Sequence, residues 1–162
     1  LVGLLFDGSD QPSAAASSTA INDAAHPDLV VLGGEDTHSV TEIEAIYRGR
    51  FKQAEYVITD SITAELIKYA LNGFFAAKVV FANEIWDYAQ KIKANYEVIR
   101  YVLEAHKWGS KNHFRVWDKE GRGAGGKCLP KDLAALATDS KSNLFRTMNL
   151  INTGLLLRTK KV

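Results

Sequence analysis

The densest chemistry in this chain lies in GRGAGGKCLPKD, residues 121–132. Three patterns overlap there. Gly121, Gly123 and Gly126 match the dinucleotide fingerprint G-x-G-x-x-G. Gly121, Gly126 and Lys127 match the start of a phosphate loop, G-x-x-x-x-G-K. Cys128, the only cysteine, is followed by Leu-Pro-Lys-Asp. The fingerprint needs a strand before it and a helix opening on its third glycine. "VWDKE" is no buried strand, and the residue before Pro130 is biased against helix. The phosphate loop needs a hydroxyl for magnesium where Cys128 stands, and a thiol is a soft, poor substitute. A thiol at a glycine-rich turn before a helix is different. The N–H groups and positive helix end favour a thiolate nucleophile there, with Asp132 four residues on as a base or an orienter of water. A lone cysteine can equally be a small buried hydrophobe.

The elements that position this loop are mostly helical. Residues 61–93 contain no proline and one glycine, so a single helix of about 50 Å is expected. Leu66, Ile67, Ala70, Phe74, Ala77, Phe81, Ile85, Tyr88 and Ile92 form one stripe, the expected core face. Phe75, Val79 and Trp86 lie outside it, so a second buried face, against another subunit, is expected. Glu65, Lys68, Asn72 and Asn83 cluster on one edge. Lys68 and Asn72, at i and i+4, can reach one point beside the helix. The plain alternative for such an edge is solvation.

Further helices are expected at 95–108, with Ile99, Val102, Leu103 and His106 inward, at a start containing Pro130, and at about 142–158. The last carries Leu144, Phe145, Met148, Ile151, Leu155 and Leu156 inward. Upstream, Leu29–Leu32 closed by Gly33-Gly34 reads as a buried strand, 39–48 as a helix and "AEYVITD" as a second strand, the end of a βαβ unit. Residues 9–20 read as loop or weak helix. The fold class is therefore mainly α, built on one long helix, with a small α/β remnant of two strands. The expected division is 1–60 and 61–162.

The chain has 162 residues, enough to bury about 70% of its unfolded surface. It is 46% hydrophobic and 24% charged, with a net charge of +1. Nothing there points to nucleic acid or an anionic membrane. One cysteine suits a reducing, cytoplasmic setting. No apolar run reaches membrane-span length, and LVGLLF is too short for a leader. Beginning at Leu1, the chain is expected to be a processed product or a piece of a longer one. No metal site is expected.

"GRGAGGKCLPKDLAAL" resembles the cysteine loop of the UDP-glucose/GDP-mannose dehydrogenase family, roughly G-x-G-x-G-G-x-C-[FL]-P-K-D. "TAELIKYALNGFFAAKVVFANEIWDYA" is similar to that family's central helix, with A-E-x-x-K-x-x-x-N and a later N-E. "HPDLVVLGGED" and "YVITD" look like the last strands of its amino-terminal domain. The resemblance runs from about His26 to Leu136. It implies an NAD-dependent oxidation of a nucleotide sugar's primary alcohol to the uronate, for polysaccharide biosynthesis, within a homodimer formed through the long helix. By resemblance, Cys128 forms the thiohemiacetal and thioester, Lys68 and Asn72 donate to the oxyanion, and Asp132 assists proton transfer. Lys68, Gly121 and Gly125 would touch the sugar and Lys131 the nicotinamide. Where the family tends to carry a sugar-contacting arginine stands Asn112, with Lys111 and Arg115 close by. The family's glycine fingerprint lies outside these residues, so the chain alone is expected to be inactive. The alternative expectation is a catalytically inactive assembly module of the same family.

Overall fold

The computed structural model describes residues 2–6, 26–118 and 121–159, so the expected loop at 9–20 lies outside the described residues. The described residues through Ala70 form one compact unit and those from Leu71 onward a second.

In the first unit, strand β1 (Val2–Phe6) pairs antiparallel with β2 (Leu29–Gly33), and β2 pairs parallel with β3 (Glu55–Thr59). Helix α1 (Thr37–Arg50) connects the parallel pair. The sequence reading expected two strands, and the sheet has three. The reason lies in β2. Val30, Val31 and Leu32 are buried on both faces of the strand, which reads as a central position needing a neighbour on each edge. β1, a stretch weighed above only as a leader, supplies the second edge. Val30 and Leu32 pack with Val40 of α1, flanked by Ile43, Tyr47 and Phe51. Asp36 caps α1 by accepting from the His38 and Ser39 amides.

Helix α2 (Ser61–Ile92) is one unbroken element. Asp60 starts it, accepting from the Thr63 amide at 2.8 Å and the Thr63 hydroxyl at 2.7 Å. Those bonds, the hydroxyl's first, hold the Asp60 carboxyl below its ordinary value. Most of the expected core stripe of α2 is overturned, although Ala77 and Ile85 do pack against the cores; Phe75, Val79 and Trp86, expected to face another subunit, pack within this chain. Phe74, Phe81 and Tyr88 are 60%, 49% and 58% exposed, and Leu66 and Ile92 are exposed too. The buried positions are Ala64, Gly73, Ala76, Val79, Val80, Ala82, Asn83 and Ala89, most of them on the opposite side of the helix. The cause is size: alanines let neighbouring segments approach closely, and a bulky stripe at helical spacing does not say which partner covers it.

In the second unit, helices α3 (Tyr96–Ala105), α4 (Cys128–Asp139) and α5 (Asn143–Thr159) follow. Asn95 caps α3 through the Glu97 and Val98 amides. That helix ends at Ala105 rather than 108, because His106 turns extended. Val102 and His106, expected inward, are exposed, while Tyr96, Ile99 and Leu103 pack inward. α4 and α5 pack on each other. Ala76 and Val79 of α2 join Leu129, Leu133 and Met148 in one core, and Leu144 of α5, expected inward, is exposed.

Candidate active site

The glycine loop is tied down residue by residue. At its start the Asp118 amide donates to the Gly121 carbonyl at 3.0 Å, and the Gly121 amide donates to the Asp118 carboxylate at 3.0 Å. Gly121 has φ +127°, and a Cβ there would stand 2.4 Å from the Thr159 carbonyl oxygen. Only glycine meets both conditions. The Arg122 amide donates to the Thr159 hydroxyl at 2.7 Å.

The Arg122 side chain turns inward and is buried. Its Nε donates to Asn83 Oδ1 at 2.9 Å, and its terminal nitrogen pairs with Asp87 at 2.9 Å. The guanidinium lies 4.4 Å from the Trp86 ring centre and 5.7 Å from that of Trp117. Asn83 in turn donates to the Val79 carbonyl at 2.8 Å. A buried arginine requires such a set of acceptors and aromatic faces.

Gly123 has φ +98°, with its open side against Asn152 and Leu155. Ala124 then pairs with the Asn152 carboxamide as it would with a strand: its amide donates to Oδ1 at 2.7 Å, and its carbonyl accepts from Nδ2 at 3.0 Å. Gly125 is buried, and the chain emerges at Gly126, Lys127 and Cys128.

Cys128 is the first residue of α4, and it is exposed. Lys127, at the cap position, makes no side-chain capping bond. A helix start without such a cap leaves its first N–H groups for water or an anionic group. One turn further on, Asp132 is wholly buried. Asn72 Nδ2 donates to its Oδ2 at 2.6 Å, and Lys131, itself largely exposed, pairs with its Oδ1 at 3.0 Å. Asn72 and Asp132, 60 residues apart, thus meet directly. Lys68 lies one turn before Asn72 on α2, half-buried, with its ammonium 5.8 Å from the Tyr69 ring centre.

Sequence reasoning missed Arg122 and Asn152 as loop anchors. Asn152 carried a usable signal. It occupies a core position between Met148 and Leu155 at helical spacing, and an asparagine there requires a buried partner. Asn83 was grouped with a polar edge for which solvation was the plain alternative, and it is fully buried.

Residues 62–155 match the UDP-glucose/GDP-mannose dehydrogenase family, central domain. The chain belongs to this family. It is 35% identical over 135 residues to the UDP-glucose 6-dehydrogenase of Rickettsia felis, covering 83% of this chain and 29% of that protein. It is 36% identical over 135 residues to the GDP-mannose 6-dehydrogenase of Pseudomonas aeruginosa, covering 83% of this chain and 30% of that one. Its fold matches the solved UDP-glucose dehydrogenase of Pyrobaculum islandicum with a TM-score of 0.69 and 26% identity, over 86% of this chain and 31% of the other. The chain therefore spans less than a third of the length of these relatives.

Its glycine pattern does not fit a dinucleotide pyrophosphate. Thr159 and Asn152 fill the open sides of Gly121 and Gly123. Among the described residues Trp117 and Arg122 form only an isolated bridge where the fingerprint needs a strand. Among the described residues, too, no helix is long and apolar enough to cross a membrane.

Proposed function

We propose that this chain supplies the thiol half of the active site of a nucleotide-sugar 6-dehydrogenase, acting on a UDP- or GDP-sugar. The observation that carries the reading is an exposed Cys128 at the uncapped start of α4, one turn from the buried Asp132–Asn72 pair. The Cys128 thiolate adds to the aldehyde carbon of the half-oxidised sugar, and the carbonyl oxygen takes up the negative charge. An asparagine amide carries two donors. One N–H of Asn72 is engaged by Asp132, which fixes the amide's orientation and leaves the other for that oxyanion. Lys68 acts as the second donor. One such donor contributes about 3–4 kcal/mol to the transition state. At the thioester stage Asp132 assists water in releasing the acid and the free thiol. By resemblance Lys68 and Gly125 would face the sugar and Lys131 the redox partner, whereas Gly121, with Thr159 against its open side, serves the turn of the loop. That partner, NAD by resemblance, would accept the hydride lost when the alcohol becomes the aldehyde and again when the thiohemiacetal becomes the thioester.

The exposed stripe of Leu66, Phe74, Phe81, Tyr88 and Ile92 supports a homodimer through α2. The same stripe is what favours the second reading, an assembly module without catalysis. The two separate on one experiment in the full-length protein, following acid formation from UDP-glucose and GDP-mannose. Cys128→Ser is expected to abolish acid formation, and Asn72→Ala to slow it on the order of 100- to 1,000-fold. Undiminished acid formation in Cys128→Ser would refute the nucleophile role, and an inactive parent enzyme would favour the assembly module.

A further inference from the structure

We infer that Asn152 is a positioning residue for Cys128, gripping the cysteine loop at Ala124 and so fixing where the thiol emerges. Four observations carry this. Asn152 is buried, and both polar atoms of its side chain are spent on one residue, the Ala124 amide at 2.7 Å and carbonyl at 3.0 Å. A carboxamide that pairs with both backbone groups of a residue sets that residue's orientation as well as its distance. Gly123, just before it, has φ +98°, and a Cβ there would stand 3.0 Å from Asn152 Oδ1, so the backbone comes as close to Asn152 as a missing side chain allows. Past Ala124 only Gly125, Gly126 and Lys127 intervene before Cys128 begins α4.

Asn152 does this from a rigid base. It stands on α5 between Met148 and Leu155, both buried in the helix's packed face. The loop's earlier anchors, Thr159 on Arg122's amide and Asn83 on its side chain, hold the far end. Among the described residues Asn152 is the last side chain to hydrogen-bond the loop before the thiol. As a means of presenting a nucleophile the inference rests on the proposed function. As a constraint on the thiol it stands by itself, and the test addresses the constraint without sugar or cofactor.

Because Cys128 is the only cysteine, iodoacetamide alkylation of the full chain reads this one position. Asn152→Leu removes both bonds to Ala124 while keeping the branched shape of the side chain. Gly123→Ala pushes the loop off Asn152 from the other side. Thr153→Ala, an exposed neighbour on α5, is the control. In chains that still melt cooperatively above the assay temperature, the first two variants are expected to change the alkylation rate constant about fivefold or more, and the control to stay within about twofold of the parent. A merely structural asparagine would lower the melting temperature and leave the rate of the folded chain unmoved. A folded Asn152→Leu or Gly123→Ala chain with the parent's rate overturns the inference. The parent chain offers a separate reading if both variants fail to fold. Its Ala124 amide is expected to exchange as slowly as the amides inside α5, and exchange at the rate of an open loop overturns the inference as well. Loss of acid formation in Cys128→Ser bears only on the nucleophile role, so the two ideas fail separately.

Discussion

The two faces of α2 invert the usual relation between hydrophobicity and burial. One carries Phe74, Phe81, Tyr88 and Ile92 and lies open. The other carries Ala76, Ala82, Ala89 and a fully buried Asn83, and the second unit packs its cores against it. The apolar face has area to offer but no complementary surface among the described residues. The small-residue face brings the glycine loop, α3 and α4 close enough to use hydrogen bonds. Asn83 then holds Arg122, and Asn72, further up the helix, holds Asp132. An associating subunit would need covering area and a catalytic loop fixed distances, so on the proposed function α2 would separate the two tasks by face.

The sharpest contrast is expected from Asn83→Ala. The substitution removes the acceptor of Arg122 Nε in a buried place and leaves that donor unsatisfied. A lost hydrogen bond to a charged group costs about 2–3 kcal/mol, measurable by urea denaturation. Asn83→Asp keeps an acceptor facing the guanidinium and is expected to cost less than the alanine. An alanine variant as stable as the parent would mean that the inner face is packed for shape alone.

A smaller, pH-dependent effect is expected where the inner face meets α3. Tyr96 packs with Ala82, Ala89, Phe114 and Val116, and its hydroxyl donates to the Phe114 carbonyl at 2.7 Å. Burial, reinforced by Glu97, pushes its phenol up from 10.0 to about 12. A folded-state value above the unfolded one gives stability that is complete below about pH 10 and is lost as pH rises toward about 12. Tyr96→Phe is expected to cost about 1 kcal/mol at neutral pH through the orphaned carbonyl. Its stability should then fall less steeply than the parent's across that window. Parallel urea titrations of the two chains at neutral and alkaline pH check this, and identical slopes would show that Tyr96 does not titrate with unfolding.

Much of this arrangement could be read before any coordinates. α2 was expected at nearly its full length because nothing in residues 61–92 breaks a helix. Leu29–Leu32 followed by two glycines marked β2 because an unbroken apolar run of that length fits a buried strand. What could not be read were the quantities decided by partners. β1 became a strand only because β2 needed a second edge. The choice between the two faces of α2 depended on which one the rest of the chain fits, and periodicity carries no such information. At the site, Cys128 and Asp132 announced themselves through a local motif, while the Asn152–Ala124 and Asn83–Arg122 pairs span 28 and 39 residues and have no local pattern. Met148, Asn152 and Leu155 at core spacing did contain a warning, since a buried carboxamide in an apolar stripe must be paired with something.

The smallest effect on folding is expected on the outer face, and that smallness is the point of measuring it. Phe81 is half exposed in the single chain, so Phe81→Ser removes little packing there. Its cost to the folded monomer should stay within about 0.5 kcal/mol, the range of ordinary surface changes. If the stripe is covered by a second copy, the same substitution should shift the chain from dimer to monomer in light scattering. The parent's unfolding midpoint should depend on protein concentration, and the variant's should not, because association stabilises only the folded state. A loss of about 3 kcal/mol at every concentration would have a different meaning. It is the cost of emptying a packed aromatic site, and it would show that Phe81 is buried within its own chain rather than waiting for a partner.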